Sequence, residues 1–166
     1  MKVDSAHKSN WEIAEVVFGI PFLVSIVLQF IFPFSFHPGI LSQALIPSGI
    51  VLIILGIGFI VLARREFAHY GQPTDPGHPT KQVVKTGVFA ISRNPLYLGS
   101  VIVLLGIALA MNVLWMVVTL LASIIICHYV LILPEEKYLS AKFGEEYKDY
   151  SRIVRRWFGR KRPIKR

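Results

Sequence analysis

The placement of positive charge constrains this chain more than any other feature of its sequence. The 18 Lys and Arg residues fall in three blocks, at residues 2–8, 64–93 and 137–166. The two intervals between the blocks carry no Lys or Arg, in a chain that is 54% hydrophobic. Crossing the hydrocarbon core of a bilayer takes about 20 mostly apolar residues. Each interval is therefore long enough for two membrane crossings.

The apolar runs predict an all-α integral membrane helical bundle in which residues 1–166 form a single domain. The predicted spans cover residues 11–32, 40–63, 96–110 and 113–133, with turns at 33–39 and 111–112, a loop at 64–95 and a tail at 134–166. The third span is shorter than a full crossing. We expect it either to tilt within a tight helical hairpin or to begin in a recess lined by protein.

The same charge placement predicts the orientation of the chain. Because cytoplasmic segments of membrane proteins carry the excess of Lys and Arg, we expect both termini and the 64–95 loop on the cytoplasmic side. Glu12 and Glu15 at the start of the first span argue against a cleaved signal peptide. The small size favours a prokaryotic plasma membrane. Basic residues confined between apolar runs argue against binding to nucleic acid.

The polar tail predicts one helix and a basic end. Apolar and aromatic residues recur at three- and four-residue spacings from Pro134 to about Tyr150, which predicts a helix. The basic residues of the segment 152–166 are interpreted as ligands of anionic lipid headgroups. Trp157 and Phe158 fit an aromatic anchor at the membrane interface.

The first candidate site lies where the polar loop meets the third span, in the segment 85–99. Pro95 suits the first position of a helix, and the free N–H groups there, with Arg93 beside them, would bind a carboxylate. Gly99 lets a ligand or a neighbouring helix approach the backbone closely. The alternative is an ordinary junction of loop and helix, with Arg93 snorkelling and Tyr97 as an interface aromatic.

The second candidate site is Glu135-Glu136, directly after the fourth span. Acids in a first helical turn are favoured by the helix dipole, which is one explanation of the pair. The other is that one carboxylate turns inward to bind a ligand or to act as a base. His128, inside a predicted span, is either a neutral partner of a neighbouring helix or part of a site. Asp75 and His78 are further candidates for cofactor contact.

The two sites together resemble a known group of membrane enzymes. The pattern that carries the resemblance is Gly87-x-Phe89-x-x-x-Arg93-Asn94-Pro95-x-Tyr97-x-Gly99, a helical hairpin, then Glu135-Glu136-x-x-Leu139-x-x-x-Phe143-Gly144-x-x-Tyr147-x-x-Tyr150. In this order the motifs are similar to those of the integral membrane methyltransferases. This group contains isoprenylcysteine carboxyl methyltransferase and the phospholipid methyltransferases. The resemblance covers residues 67–157.

The resemblance implies a site for S-adenosylmethionine, formed by the loop and the C-terminal helix on the cytoplasmic side. The residues that it places at the cofactor are Gly87, Phe89, Asn94, Pro95, Tyr97, Leu98, Gly99, Glu135 and Glu136. The residues that it makes catalytic are Arg93, Glu135 and Glu136. Many members of the group have His where this chain has Asn94. Because Asn does not titrate near neutral pH, an imidazole base at that position is not available here.

The implied activity is methyl transfer from S-adenosylmethionine to a lipophilic acceptor that enters from the bilayer. The preferred acceptor is the carboxyl group of a prenylated cysteine or a similar small molecule, oriented by Arg93 or by an arginine of the tail. The alternatives are N-methylation of a phospholipid amine, with Glu135 or Glu136 as the proton acceptor, or a non-catalytic membrane scaffold of the same fold. Alignment and exclusion of water drive such a reaction, so we expect no metal.

Overall fold

The structure is a computed structural model that describes residues 14–36, 40–72 and 80–161. Several sequence-based predictions fall on residues outside this description: the first residues of the first span, part of the turn at 33–39, the candidate ligands Asp75 and His78, and the end of the basic tail. For residues 40–42 the description covers the backbone alone.

The described chain is helical, which confirms the predicted fold class. Its α-helices are α1 (Ala14–Ile31), α2 (Ile40–His69), α3 (Pro95–Ala110), α4 (Leu114–Ile126), α5 (Leu133–Phe143) and α6 (Glu145–Ile153). A 3₁₀-helix covers Gly87–Ala90, and a π-helix covers Cys127–Ile132. The π-helix joins α4 to α5 without a break, so that Leu114–Phe143 is one 30-residue helix.

Three of the described helices are long and apolar enough to cross a bilayer. They are Ala14–Ile31, Gln43–His69 and Leu114–Phe143. Helix α3 is equally apolar but has only 16 residues, which at 1.5 Å per residue gives about 24 Å. That length is less than the thickness of the hydrocarbon core, about 30 Å.

Helices α2 and α3 are held in close contact by two pairs of glycines. A Cβ atom on Gly49 would lie 2.5 Å from the carbonyl oxygen of Gly106, and one on Gly99 would lie 2.9 Å from that of Gly56. Small residues at such crossings let helix backbones approach within the membrane. Of the two roles that the sequence allows for Gly99, the structure shows the approach of a neighbouring helix.

The short turns of the chain meet at one end of the bundle. The indole Nε1–H of Trp115 donates a 2.8 Å hydrogen bond to the carbonyl of Phe32. The backbone N–H of Leu114 donates one of 3.1 Å to the carbonyl of Phe34. The turn after α1 and the turn between α3 and α4 therefore lie side by side.

The polar segments meet at the other end. Val83 of the loop packs on the aromatic cluster of Tyr147, Tyr150 and Val154, to which Leu139 of α5 also belongs. The loop and the tail, which carry most of the basic residues, therefore share one end of the bundle.

The tail differs in one respect from the sequence-based prediction of a single helix. Gly144 ends α5 with φ 55°, and α6 begins directly after it. Residues with a side chain rarely adopt this backbone conformation, whereas glycine adopts it readily. Both helices keep the predicted apolar face, since Leu139 and Phe143 of α5 share a cluster with Tyr147 of α6. The break changes the direction of the helix and not the residues it buries.

Candidate functional site

The loop that precedes α3 is fixed to the C-terminal end of α2 by its own side chains. Gly87 has φ 55°, and a Cβ atom there would lie 2.7 Å from the carboxylate of Glu66. Thr86 donates a hydrogen bond to the same carboxylate. Phe89 is buried against Phe67, with 4.8 Å between ring centroids. Gly87 and Phe89, two of the predicted cofactor residues, therefore hold the loop against α2.

The residues after α6 fold back onto the start of α3. Val154 and Arg160 form an isolated antiparallel bridge, and the N–H of Arg93 donates a 3.1 Å hydrogen bond to the carbonyl of Arg155. The side-chain Nδ2–H of Asn94 donates a 2.9 Å bond to the next carbonyl, that of Arg156. Asn94 makes no side-chain bond that caps α3. Its amide instead holds the tail, so the contact that the structure gives to Asn94 is a structural one.

Two arginines converge on Glu136. The Nε–H and Nη2–H groups of Arg156 donate 2.8 and 2.7 Å bonds to its two carboxylate oxygens, and Nη2 of Arg93 lies 3.0 Å from Oε1. The side chain of Arg93 is 8% exposed and that of Glu136 is 15% exposed. The hydrogen bonds to Glu136 raise the pKa of Arg156. We call these three residues the arginine–glutamate cluster.

The neighbouring acid has a different environment. Oε2 of Glu135 lies 3.4 Å from the hydroxyl of Tyr97, and we call these two residues the Tyr97–Glu135 pair. Within the described ranges, no Lys or Arg forms an ion pair with Glu135. Tyr97 is packed on an apolar cluster that includes Leu131 and Ile132. Glu135 is thus a carboxylate beside an apolar core and without a cation.

The two acids do not lie at a free helix N-terminus. Since the π-helix continues into α5, the N–H of Leu133 bonds to the carbonyl of His128 rather than standing free. The helix-dipole explanation of the acidic pair therefore does not hold. π-Helical segments inside α-helices are frequent at functional sites. Here the segment also brings His128 Nε2 to 3.4 Å from Nη1 of Arg156.

One donor in this region has no partner. Nε of Arg93 is buried and, among the buried side-chain nitrogens and oxygens of the described residues, is the atom without a hydrogen bond. Nη1 of Arg93 lies 3.5 Å from the hydroxyl of Tyr147. Burying such a donor without an acceptor costs free energy, so an unmade bond at a buried arginine indicates a missing acceptor.

The tyrosines beside Arg93 stay neutral. Burial raises the pKa of Tyr147 to about 12, against the opposing charge of Arg93. Burial also raises the pKa of Tyr150, whose hydroxyl donates a 2.7 Å bond to the carbonyl of Phe89. Both hydroxyls therefore remain protonated at neutral pH and position the loop and Arg93 without taking up protons.

The structure brings together five of the predicted residues and separates the others. Those that meet at the polar end of the bundle are Arg93, Asn94, Tyr97, Glu135 and Glu136. Pro95 is fully buried at the first turn of α3, with Leu98 half-buried one turn on. Gly87, Phe89 and Gly99 contact α2. Sequence reasoning missed the role of Arg156, which it assigned with the rest of the basic tail to lipid headgroups.

The described helices are those of a membrane helical bundle, and a cluster of polar side chains lies at one end of them. The family model for phospholipid methyltransferases matches residues 44–146, which is more than half of the chain. The chain therefore belongs to the phospholipid methyltransferase family of membrane methyltransferases, and the resemblance seen in the sequence is confirmed. No curated protein and no solved structure matches the chain.

Proposed function

We propose that this protein transfers a methyl group from S-adenosylmethionine to the amine of a membrane lipid, at the end of the bundle where α3 and α5 begin. The observation that supports this proposal is that the two adjacent acids, Glu135 and Glu136, have different partners. Glu136 occupies both nearby arginines, whereas Glu135 lies beside Tyr97 and has no ion pair within the described chain. The site therefore offers an unpaired carboxylate next to an apolar core.

The residues present fit S-adenosylmethionine. The buried Nε–H of Arg93 lacks an acceptor, and the methionine part of the cofactor carries a carboxylate. Arginine binds carboxylates well because its donors form a planar fork. In this proposal Arg93 holds that carboxylate, and Asn94, Pro95, Tyr97 and Leu98 line the nucleoside side. When bound, the cofactor would supply a methyl group as an electrophile on a positively charged sulfur.

The chain's own groups handle the acceptor. A lipid ammonium must lose a proton before its nitrogen can attack, and Glu135 is placed to accept that proton. Tyr97, within 3.4 Å, orients the carboxylate. Transfer of the cofactor's methyl group to that nitrogen would leave the electron pair of the broken carbon–sulfur bond on sulfur. The apolar cluster around Tyr97 excludes water from the reacting groups.

An amine acceptor fits these contacts better than the carboxyl acceptor that the sequence favoured. A carboxylate substrate would need a cation to orient it. Arg156 is engaged with both oxygens of Glu136. Arg93 shares that partner, and in this proposal its one unpaired donor is used by the carboxylate of the cofactor. A second carboxylate beside Glu135 would also be repelled, since like charges in a partly buried site disfavour each other.

A transfer assay tests this proposal. Purified protein is placed in vesicles that contain phosphatidylethanolamine and given S-adenosylmethionine with a tritiated methyl group. We expect the label to enter the lipid fraction and to remain non-volatile after treatment with base, because a methylated amine survives base whereas a methyl ester releases volatile methanol. Vesicles of phosphatidylglycerol alone are the control and should take up no label.

Two results contradict the proposal. Release of the label as methanol would show that a carboxyl group is the acceptor. Absence of label from every lipid, together with no binding of S-adenosylhomocysteine by calorimetry, would show that the protein is not a methyltransferase.

A further inference from the structure

A cavity with mostly apolar walls lies between α1, α2 and α3. It has a volume of about 430 Å³, which falls within the range of about 300–1,000 Å³ for sites that hold small molecules. Its apolar walls include Phe18, Phe22, Ile60, Val103 and Leu104. We call it the α1 groove. Open on one side and apolar, it has the character of a site for a hydrocarbon chain.

One end of the α1 groove carries a negative charge. Glu15, in the first turn of α1, lines the groove and is exposed. It forms no ion pair with any described residue. Its neighbour Ala14 also lines the groove and packs on the same apolar cluster as Tyr97. The polar end of the groove therefore adjoins the Tyr97–Glu135 pair.

The charges around this end select the kind of ligand. Glu15 and Glu135 are both acidic, and the arginines nearest to them are paired with Glu136. A lipid with an ammonium headgroup would bring the missing positive charge, whereas a purely anionic headgroup would be repelled. Neither Glu15 nor any other residue of α1 lies in the segment 44–146 that matches the family. The α1 wall of the groove is thus a feature that the family match does not describe.

We propose that the α1 groove binds one acyl chain of an aminophospholipid, with the carboxylate of Glu15 against the ammonium group. This inference rests on the proposed function and adds to it the place where the acceptor binds. Glu15 then acts as a specificity residue: it selects an amine and presents it to Glu135. The occupant is a bilayer lipid because the groove is largely apolar and lies between three apolar helices, two of which are long enough to cross a bilayer.

Two glycines provide a matched pair of variants for the test. A Cβ atom on Gly19, which lines the groove, meets no neighbouring group within 4 Å, and the same is true of Gly58 on α2, outside the groove. Gly19→Leu therefore fills the groove, and Gly58→Leu adds the same side chain elsewhere without a clash. Comparing their thermal unfolding in detergent checks that both variants fold like the wild type.

Binding is measured without catalysis, by native mass spectrometry of the detergent-purified protein titrated with phosphatidylethanolamine or phosphatidylglycerol. We expect Gly19→Leu to weaken phosphatidylethanolamine binding at least about tenfold, as loss of a filled apolar site implies, and Gly58→Leu to leave it unchanged. Glu15→Gln should reduce the preference for phosphatidylethanolamine over phosphatidylglycerol by roughly fivefold or more.

The inference is overturned if Gly19→Leu binds phosphatidylethanolamine as the wild type does, or if Glu15→Gln keeps the full headgroup preference. These outcomes are independent of methyl transfer. A wild-type protein that methylates phosphatidylethanolamine while both variants bind it normally would leave the proposed function standing and place the acceptor elsewhere. If the protein binds the lipid as expected but transfers no methyl group, the proposed function is contradicted and the binding site in the groove is not.

Discussion

Replacing Glu135 by glutamine is expected to lower methyl transfer about a thousandfold, within the range of about 10²–10⁴ that general-base groups contribute. Glutamine keeps the size of the side chain and can still bond to the hydroxyl of Tyr97, now 3.4 Å from Oε2. It cannot accept a proton. The measurement is the initial rate of label transfer to phosphatidylethanolamine vesicles, alongside calorimetric binding of S-adenosylhomocysteine, which should change by less than about threefold.

A matched control separates catalysis from a general loss of charge. Glu145→Gln removes an exposed acid on α6 that pairs with Lys148 at 2.7 Å, and we expect its transfer rate to equal that of the wild type. If Glu135→Gln also transfers methyl groups at a near-normal rate, then Glu135 is not the proton acceptor and the site is placed wrongly.

Replacing Glu136 by glutamine should have a different effect, on stability rather than on proton transfer. The change leaves two cations, Arg93 and Arg156, without their shared carboxylate in a site where Arg93 is 8% exposed. Breaking a buried ion pair by removing one partner costs about 3–5 kcal/mol. Since Arg156 is partly exposed, we expect a loss near the lower end, about 3 kcal/mol, which makes opening of the tail roughly 100-fold more frequent.

Hydrogen exchange measures this opening directly. The N–H of Arg93 bonds to the carbonyl of Arg155, and the N–H of Gly159 bonds to that of Ile91, so both amides should lose protection. The control is Glu146→Gln, which removes an exposed ion pair with Lys85 and should cost at most about 1 kcal/mol. Equal protection of these amides in Glu136→Gln and the wild type would show that the arginine–glutamate cluster does not hold the tail.

The sequence predicted the helical fold because its strongest signal was global. Long apolar intervals without Lys or Arg are compatible with few structures. Membrane-spanning helices are the simplest of them, because a helix pairs its own backbone polar groups. The ends of elements were less accessible. Helix α2 runs to His69, past the predicted end of the span at residue 63. Hydrogen bonds of Glu66 and Tyr70 to Thr86 of the loop hold this last part of the helix in the polar region.

The sequence predicted the two motifs of the candidate site but not which of their side chains pair with each other. Both motifs were visible, but nothing in their spacing tells which of two adjacent acids turns to the arginines. That choice depends on the π-helix, which rotates the start of α5, and π-helices have no clear sequence signature. Arg156 was missed because it lies in a run of basic residues whose common role is contact with headgroups. Its bond to Glu136 depends on the fold of the tail.

The most direct test of this account is an experimental structure of the protein with S-adenosylhomocysteine. We expect the ligand at the start of α3, with its amino-acid carboxylate on Nε of Arg93, the donor that has no acceptor in the described chain, and its sulfur facing the Tyr97–Glu135 pair. A nucleoside bound at the opposite end of the bundle, beside the turn at Trp115, would contradict the account. So would a ligand at the correct end that touches neither Arg93 nor the α3 N-terminus.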